Sequence, residues 1–411
     1  MFLLVQIAGL FNIKIRKTLR GRRRLFDRLQ EQLTRIPGGA RRLWLHISSM
    51  GEWEQGVPLI EALATRYPKD WFIVSLFSPS GYEHIKWRHE RSVITYLPLD
   101  GFFQARKFIT MVQPALHVII RHDIWPNFQW LLNHRRIPSL LVNASISEER
   151  YPSVQRLRGL YRLIYNTFSA VCAVSELNKE RLAELIRRPQ DIYVCGDTRY
   201  DRVCQRALDT TKIEAILASQ QFGGDCLVAG STWPSDEEVI LPPLLQMLRR
   251  PQFKLVLAPH EMHAEHLAML ERRFQQAGVS VMRLSAFEKA PAPCSVLLID
   301  RIGLLANLYV LGRVAVVGGG FGPGVHNVLE PAAHGCVVCF GPRHLNSPEA
   351  KEMVVAGIGR SFSTSEEFAE ILRFYDDRQA MRRMGDAVHS FVLKNVGAAE
   401  RTADVAAKFL N

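Results

Sequence analysis

Short apolar runs alternate with amphipathic segments along almost the whole chain, and this alternation constrains the fold more than any other feature of the sequence. Arg42 to Ser48, Trp71 to Phe77, Val93 to Leu97, Ala115 to Ile120, the run around Leu140, Ala170 to Val174 and Asp191 to Cys195 read as strands. Helical patterns such as Trp53 to Arg66 and Phe102 to Val112 separate them. Strands that are apolar on both faces must be covered on both faces, which implies a parallel sheet between helical layers. Gly196 to Gln221 carries two helical patterns and no strand, as a hinge would. The alternation then restarts at Cys226 to Ala229 and continues through Lys254 to Ala258, Val279 to Leu284, Val296 to Ile299, Arg313 to Val317 and Val337 to Phe340. At 411 residues the chain is too long for one core. The expected fold class is α/β, with two doubly wound Rossmann-like domains.

The net charge of +12 raises three kinds of partner: nucleic acid, an anionic membrane surface or an acidic substrate. Its distribution favours the membrane. Met1 to Phe11 is almost wholly apolar, and seven Lys/Arg follow between Lys14 and Arg24 with no acid before Asp27. The run is too short to span a bilayer, and an apolar tip followed by cations fits a segment lying in the interface. The expected organisation is therefore a membrane-associating segment over 1–30, a first domain over 31–208 and a second over 209–411. No nucleic-acid motif is present, and nucleic acid is not an expected partner. Seven scattered cysteines without framework spacing fit a reducing compartment. Cys336 and Cys339 form a C-x-x-C inside an apolar run that reads as a buried strand. No metal site is expected, since H-E-M-H at His260 to His263 has the wrong spacing for a helical zinc motif.

In doubly wound sheets ligands bind outside the carboxyl ends of the strands, so residues just after strands are the candidates. Val316 to Gly335 joins an apolar strand, a glycine-rich turn and a helix start over Asn327 to Ala333. Such a surface can receive an anion on backbone N–H groups, while Glu330 suits a hydroxylated partner such as ribose. The alternative is a tight turn with a solvated glutamate. Glu52 follows the first strand, placed to act as a general base or simply to sit at a helix N-terminus. Asp123 holds the equivalent place after another strand, as an acid of the site or a helix N-cap. Arg199, after the last strand of the first half, could stabilise phosphate charge or be a solvated hinge residue. In the second half Gly230 to Trp233, Ala258 to Glu261 and Ile299 to Leu305 all end strands with small or polar groups. Together they describe a nucleotide site. No P-loop is present, and the glycine run does not fit the dinucleotide fingerprint.

Taken in order, S-M-G-E, D-I-W-P-N, V-N-A-S-I-S-E, A-V-S-E, G-D-T-R-Y-D, G-S-T, Pro259, Ile302–Gly303 and V-G-G-G…G-V-H-N-V-L-E-P-A-A-H-G resemble the 3-deoxy-D-manno-octulosonic acid (Kdo) transferase family. The resemblance implies a GT-B type fold with two domains facing a central cleft. It implies metal-independent, inverting transfer of Kdo from CMP-Kdo to a lipid A precursor, lipid IVA, without a cofactor. The implied location is the cytoplasmic face of the inner membrane, against its anionic surface. By the same resemblance Glu52 is the general base, and Asp123 and Arg199 are accessory catalytic positions. CMP contacts are implied at Pro259, His260, Ile302, Gly303, Leu304, Asn327, Val328, Leu329 and Glu330. The chain departs from the family at His260, where arginine is usual, and at Arg199, where lysine is usual. It also lacks the first acid of the family's E-T-E-L-W, and its N-terminal apolar segment is shorter. Two other readings stay open: a related transferase with another nucleotide sugar such as a UDP donor, and a non-catalytic CMP- or lipid A-binding descendant.

Overall fold

The computed structural model describes residues 13–85, 89–222 and 225–410. Met1 to Phe11, expected to meet the membrane, lies outside the described residues. The chain divides into two compact units, Met1–Arg202 with Asn395–Asn411, and Val203–Lys394.

The first unit holds a seven-stranded parallel sheet in the order β3-β2-β1-β4-β5-β6-β7. Its strands are β1 Arg42–Ile47, β2 Trp71–Leu76, β3 Ser92–Tyr96, β4 Leu116–Ile120, β5 Ser139–Ala144, β6 Ala170–Ala173 and β7 Ile192–Val194. Every residue of β2, β4 and β5 is buried, which is why these segments read as continuous apolar runs. The chain builds outward from β1 to β3 and then returns to start β4 on the other side of β1, so the switch point lies between β1 and β4.

The second unit repeats the plan with β8 Cys226–Thr232, β9 Lys254–Pro259, β10 Val281–Arg283, β11 Val296–Leu298, β12 Val314–Val317, β13 Val337–Phe340 and β14 Gly359–Ser361. The order is β10-β11-β9-β8-β12-β13-β14, which puts the switch point between β8 and β12. β14 was not foreseen. It is a three-residue edge strand, G-R-S, with no apolar run to announce it. Cys336 and Cys339 are fully buried at β13, and burial pushes the Cys336 thiol up to about 12. No helix among the described residues is long and apolar enough to cross a membrane.

Two helix starts and the domain division differ from expectation through a cap or a tertiary contact. The first long helix starts at Met50 rather than Trp53, because Ser49 Oγ caps it by accepting from Glu52 N at 3.4 Å. The helix after the glycine loop begins at Leu329, since Asn327 Oδ1 accepts from Leu329 N at 3.0 Å and holds Asn327 in a turn. The domain division falls a few residues earlier than 208, and Asn395–Asn411 returns to the first unit. There Asp201 accepts from Gly397 N at 2.9 Å and Ala398 N at 3.1 Å, and Ala399, Ala403 and Leu410 complete the core beside the helix Met50–Arg66.

Candidate active site

In the first unit the chain leaves β1 through Ser48 and Ser49 straight into the helix carrying Glu52. Glu52 Oε2 accepts from Ser48 N at 2.6 Å. The helix-terminus role and a chemical role are therefore not exclusive here. Burial pushes the Glu52 carboxyl above its ordinary value, the nearby Asp123 charge adds to this, and the Ser48 amide and His46 only partly oppose it.

Across the switch point, Asp123 follows β4. It is not an N-cap, because the next helix, Pro126–His134, starts later with Trp125 before it. Asp123 Oδ2 instead accepts from His46 Nε2 at 3.1 Å and from Trp125 Nε1 at 3.0 Å. His46 is buried in β1, with Nδ1 3.0 Å from Ser75 Oγ, which itself accepts from Trp44 Nε1 at 2.8 Å. With Trp44 donating to its oxygen, the Ser75 hydroxyl can give its own proton to Nδ1, the tautomer in which Nε2 carries the proton toward Asp123. Burial alone would raise the Asp123 carboxyl, but the bond and charge of His46, with Ser48 and Trp125, hold it below its ordinary value. Two carboxyl groups at one sheet edge are thus pushed in opposite directions, the pattern expected of an acid–base site.

Arg199 lies in the helix Thr198–Leu208 after β7, with Nη2 2.7 Å from Asp197 Oδ2. Its cation is half-compensated by that pair rather than solvated alone. The preceding Thr198 is fixed in a buried network: Asn143 Nδ2 donates to Thr198 Oγ1 at 2.7 Å and to Gln55 Oε1 at 3.1 Å, and Thr198 Oγ1 donates to Gln55 O at 2.6 Å. This links the helix bearing Glu52, the end of β5 and the start of the Arg199 helix.

In the second unit the glycine loop follows β12 at the switch point. Its glycines are demanded first by packing. A Cβ on Gly318 would lie 2.2 Å from Ser231 O, and one on Gly320 2.5 Å from Gly341 N. Nor are the loop's amides free to cradle an anion. Buried Asp236 accepts from Gly319 N at 2.8 Å, Phe321 N at 3.1 Å and Trp233 N at 2.8 Å. The amides of Gly322, Gly324, Val325 and His326 are bonded to backbone carbonyls. The anion-receiving surface expected within Val316 to Gly335 is therefore corrected over Gly319 to His326, where Asp236 and backbone carbonyls already hold the amides of Gly319, Phe321, Gly322, Gly324, Val325 and His326. The amides of Ile302, Gly303, Leu304, Asn327 and Val328 have no acceptor among the described residues. Gly303 has φ +89°, which sets this turn.

The other candidates sort by what they expose. Pro259 ends β9, and His260 N donates to Thr232 O at 2.8 Å, so the His260 ring projects from the strand end. That ring stacks on Trp233 at 4.7 Å and on His326 at 4.4 Å. Trp233 Nε1 donates to His326 Nε2 at 3.0 Å, and burial first, then the neighbouring His260, lowers the His326 pKa. Leu304, Val328 and Leu329 have buried side chains and can offer a ligand only their backbone. Ile302 is 81% exposed, and Glu330 Oε1 accepts from Arg206 Nη1 at 3.2 Å. His46, Ser48 and Asp236 were not singled out from sequence, and Trp233 and His326 entered only as members of longer runs. Only His46, a polar residue within the run L-W-L-H-I, left a local signal.

Two seven-stranded parallel sheets in separate units, each with polar groups gathered at its switch point, define a GT-B glycosyltransferase fold. The fold alone is shared with UDP-GlcNAc 2-epimerase from Neisseria meningitidis, at TM-score 0.62 and 14% identity over 89% of this chain and 100% of that one. Residues 23–202 match the family described as 3-deoxy-D-manno-octulosonic-acid transferase (kdotransferase). The chain is 27% identical over 374 residues to the 3-deoxy-D-manno-octulosonic acid transferase of Haemophilus influenzae, covering 90% of this chain and 87% of that one. The corresponding protein of Aquifex aeolicus is 25% identical over 315 residues, 76% of this chain and 79% of the other. The chain is thus similar to the Kdo transferases, whose family model its residues 23–202 match.

Proposed function

We propose that the protein transfers Kdo from CMP-Kdo to the lipid A precursor lipid IVA, with inversion, without a metal, at the cytoplasmic face of the inner membrane. The observation that carries this reading is the Glu52–Asp123 pair at the first switch point. Glu52, its pKa raised, takes the proton of an acceptor sugar hydroxyl. The hydroxyl oxygen attacks the anomeric carbon of Kdo, and the bond from that carbon to the CMP phosphate oxygen breaks, its electron pair leaving with CMP. Asp123, held ionised by His46, keeps the Glu52 proton affinity high. Arg199 is assigned to stabilising charge on the departing phosphate. The donor is assigned to the second unit. The unpartnered amides of Ile302–Leu304 and of Asn327 and Val328 would receive anionic oxygens, Pro259 and His260 flank them, Leu329 contributes only backbone, and Glu330 accepts from ribose hydroxyls.

Mass spectrometry of tetra-acylated lipid A precursor after incubation with the protein and CMP-Kdo tests the assignment. The acceptor is expected to gain Kdo, and CMP, not UDP, to compete with the donor. Glu52→Gln keeps an acceptor for the Ser48 amide and so should fold, yet lower transfer by about 100-fold or more. Near-full transfer by this variant, with donor binding unchanged, would remove Glu52 from the base role.

A further inference from the structure

The described N-terminal helices do more than follow an apolar tip. The helix Ile13–Gly21, the turn at Arg22–Arg24 and the start of the helix Leu25–Leu33 line, with the loop after β3, an open cavity of about 520 Å³. Arg16, Arg20, Arg22 and Arg23 line it together with Gln104 and apolar residues such as Leu19 and Phe26, and no acidic residue does. Arg22 is locked in place: Nε donates to Leu97 O at 2.8 Å, Nη2 to Phe77 O at 3.0 Å and Nη1 to Thr18 O at 3.0 Å, while its guanidinium lies 4.5 Å from the Phe77 ring centroid. Burial lowers its pKa to about 10, so it keeps its charge at neutral pH. Arg16, Arg20 and Arg23 have no ion-pair partner among the described residues.

Arginines that share the wall of one cavity without a carboxylate repel each other, and an anion that enters relieves the repulsion. Guanidinium groups match phosphate oxygens in geometry as well as charge. Beside the cavity, Phe102 and Phe103 directly precede Gln104 and are 50% and 81% exposed, stacked edge to face at 5.6 Å. Two bare aromatic rings next to a cavity lined by arginines suit a ligand whose phosphate is carried on an apolar body. The cavity also belongs to the candidate catalytic edge. The Phe77 ring beneath Arg22 packs on Trp125 at 4.7 Å, and Trp125 Nε1 donates to Asp123.

We propose that this arginine cavity binds the phosphate ester of a membrane amphiphile while Phe102 and Phe103 enter the apolar layer beside it. The phosphate could come from an anionic bilayer lipid or from the phosphorylated acceptor itself, the second source resting on the transferase reading above. The test uses the full chain, Arg20→Ser/Arg23→Ser and Phe103→Ser, all changes at exposed positions. One arm is cosedimentation with phosphatidylcholine vesicles, with and without phosphatidylglycerol. The other is the KM for tetra-acylated lipid A precursor in detergent without vesicles, compared with its dephosphorylated form. If the site holds bilayer phosphate, the double variant loses at least about tenfold in binding to phosphatidylglycerol vesicles and keeps its detergent KM. If it holds the acceptor's phosphate, the KM rises at least about tenfold, kcat and CMP binding are unchanged, and the dephosphorylated acceptor removes the difference between parent and variant. Phe103→Ser weakens vesicle binding with or without phosphatidylglycerol. If neither partition nor KM moves in the double variant, the cavity is not a phosphate site. Should the parent show no transfer at all, the transferase reading fails and the vesicle arm alone decides the cavity.

Discussion

At the scale of single residues, the Glu52–Asp123 pair sets a pH dependence whose sign follows from the shifts. Glu52 must be ionised to accept a proton, and burial has raised its pKa. The acidic limb of kcat/KM is therefore expected above the ordinary glutamate value of about 4.3. Asp123→Asn removes the like charge that helps raise Glu52, so the limb should move to lower pH even as the maximum rate falls. An unmoved limb in Asp123→Asn would separate the two carboxyls. Stability runs the other way. A carboxyl with a raised folded pKa contributes stability below its unfolded pKa, and that contribution is lost as pH rises through the folded value. Glu52→Gln at neutral pH should thus melt no lower than the parent. Asp123, with a lowered pKa, contributes stability above its unfolded value of about 3.9 that is lost on acidification through the folded one.

At the scale of elements, the loop after β12 shows how a glycine run can be read for the wrong reason. Gly318 and Gly320 are glycines because neighbouring backbone lies where a Cβ would be, and Asp236 takes the amides of Gly319 and Phe321 that a ligand anion would otherwise meet. Gly318→Ala should cost about 1–3 kcal/mol, read from the denaturant midpoint of the unfolding transition that includes β8 and β12. An unchanged midpoint would mean the loop yields at little cost. The strands and the residues after them were legible because a parallel strand buried on both faces carries its own apolar signature. Glu52 and Asp123 became candidates for that reason, each lying just beyond such a run. His46 and Asp236 were not, because their roles depend on which strands become neighbours. His46 meets Ser75 only through the pairing of β1 with β2, where the two stand opposite one another. Asp236 meets Gly319 only because β8 lies beside β12. The Trp233–His260–His326 stack likewise joins three strand ends that sequence distance does not connect.

At the scale of the molecule, the division into two units is not a single cut. Asn395–Asn411 belongs to the first unit. Asp201 holds the start of its helix, Arg401 Nε donates to Cys195 O at 2.7 Å, and Arg66 Nη1 lies 2.6 Å from Asp404 Oδ1. Ending the chain after Lys394 should therefore damage the unit that carries Glu52, not the one that the cut adjoins in sequence. Limited proteolysis is expected to cut the truncated chain within 31–202 while Val203–Lys394 persists; protection of both halves would show that this segment is dispensable. The same arrangement imposes an order on synthesis. The second unit is contiguous and has all its residues once Lys394 has emerged from the ribosome. The first, although translated earlier, must wait with an incomplete core until Ala399, Ala403 and Leu410 arrive. The unit that comes first in sequence is thus finished after the second, and the candidate catalytic base cannot be fully housed before Leu410 has been made.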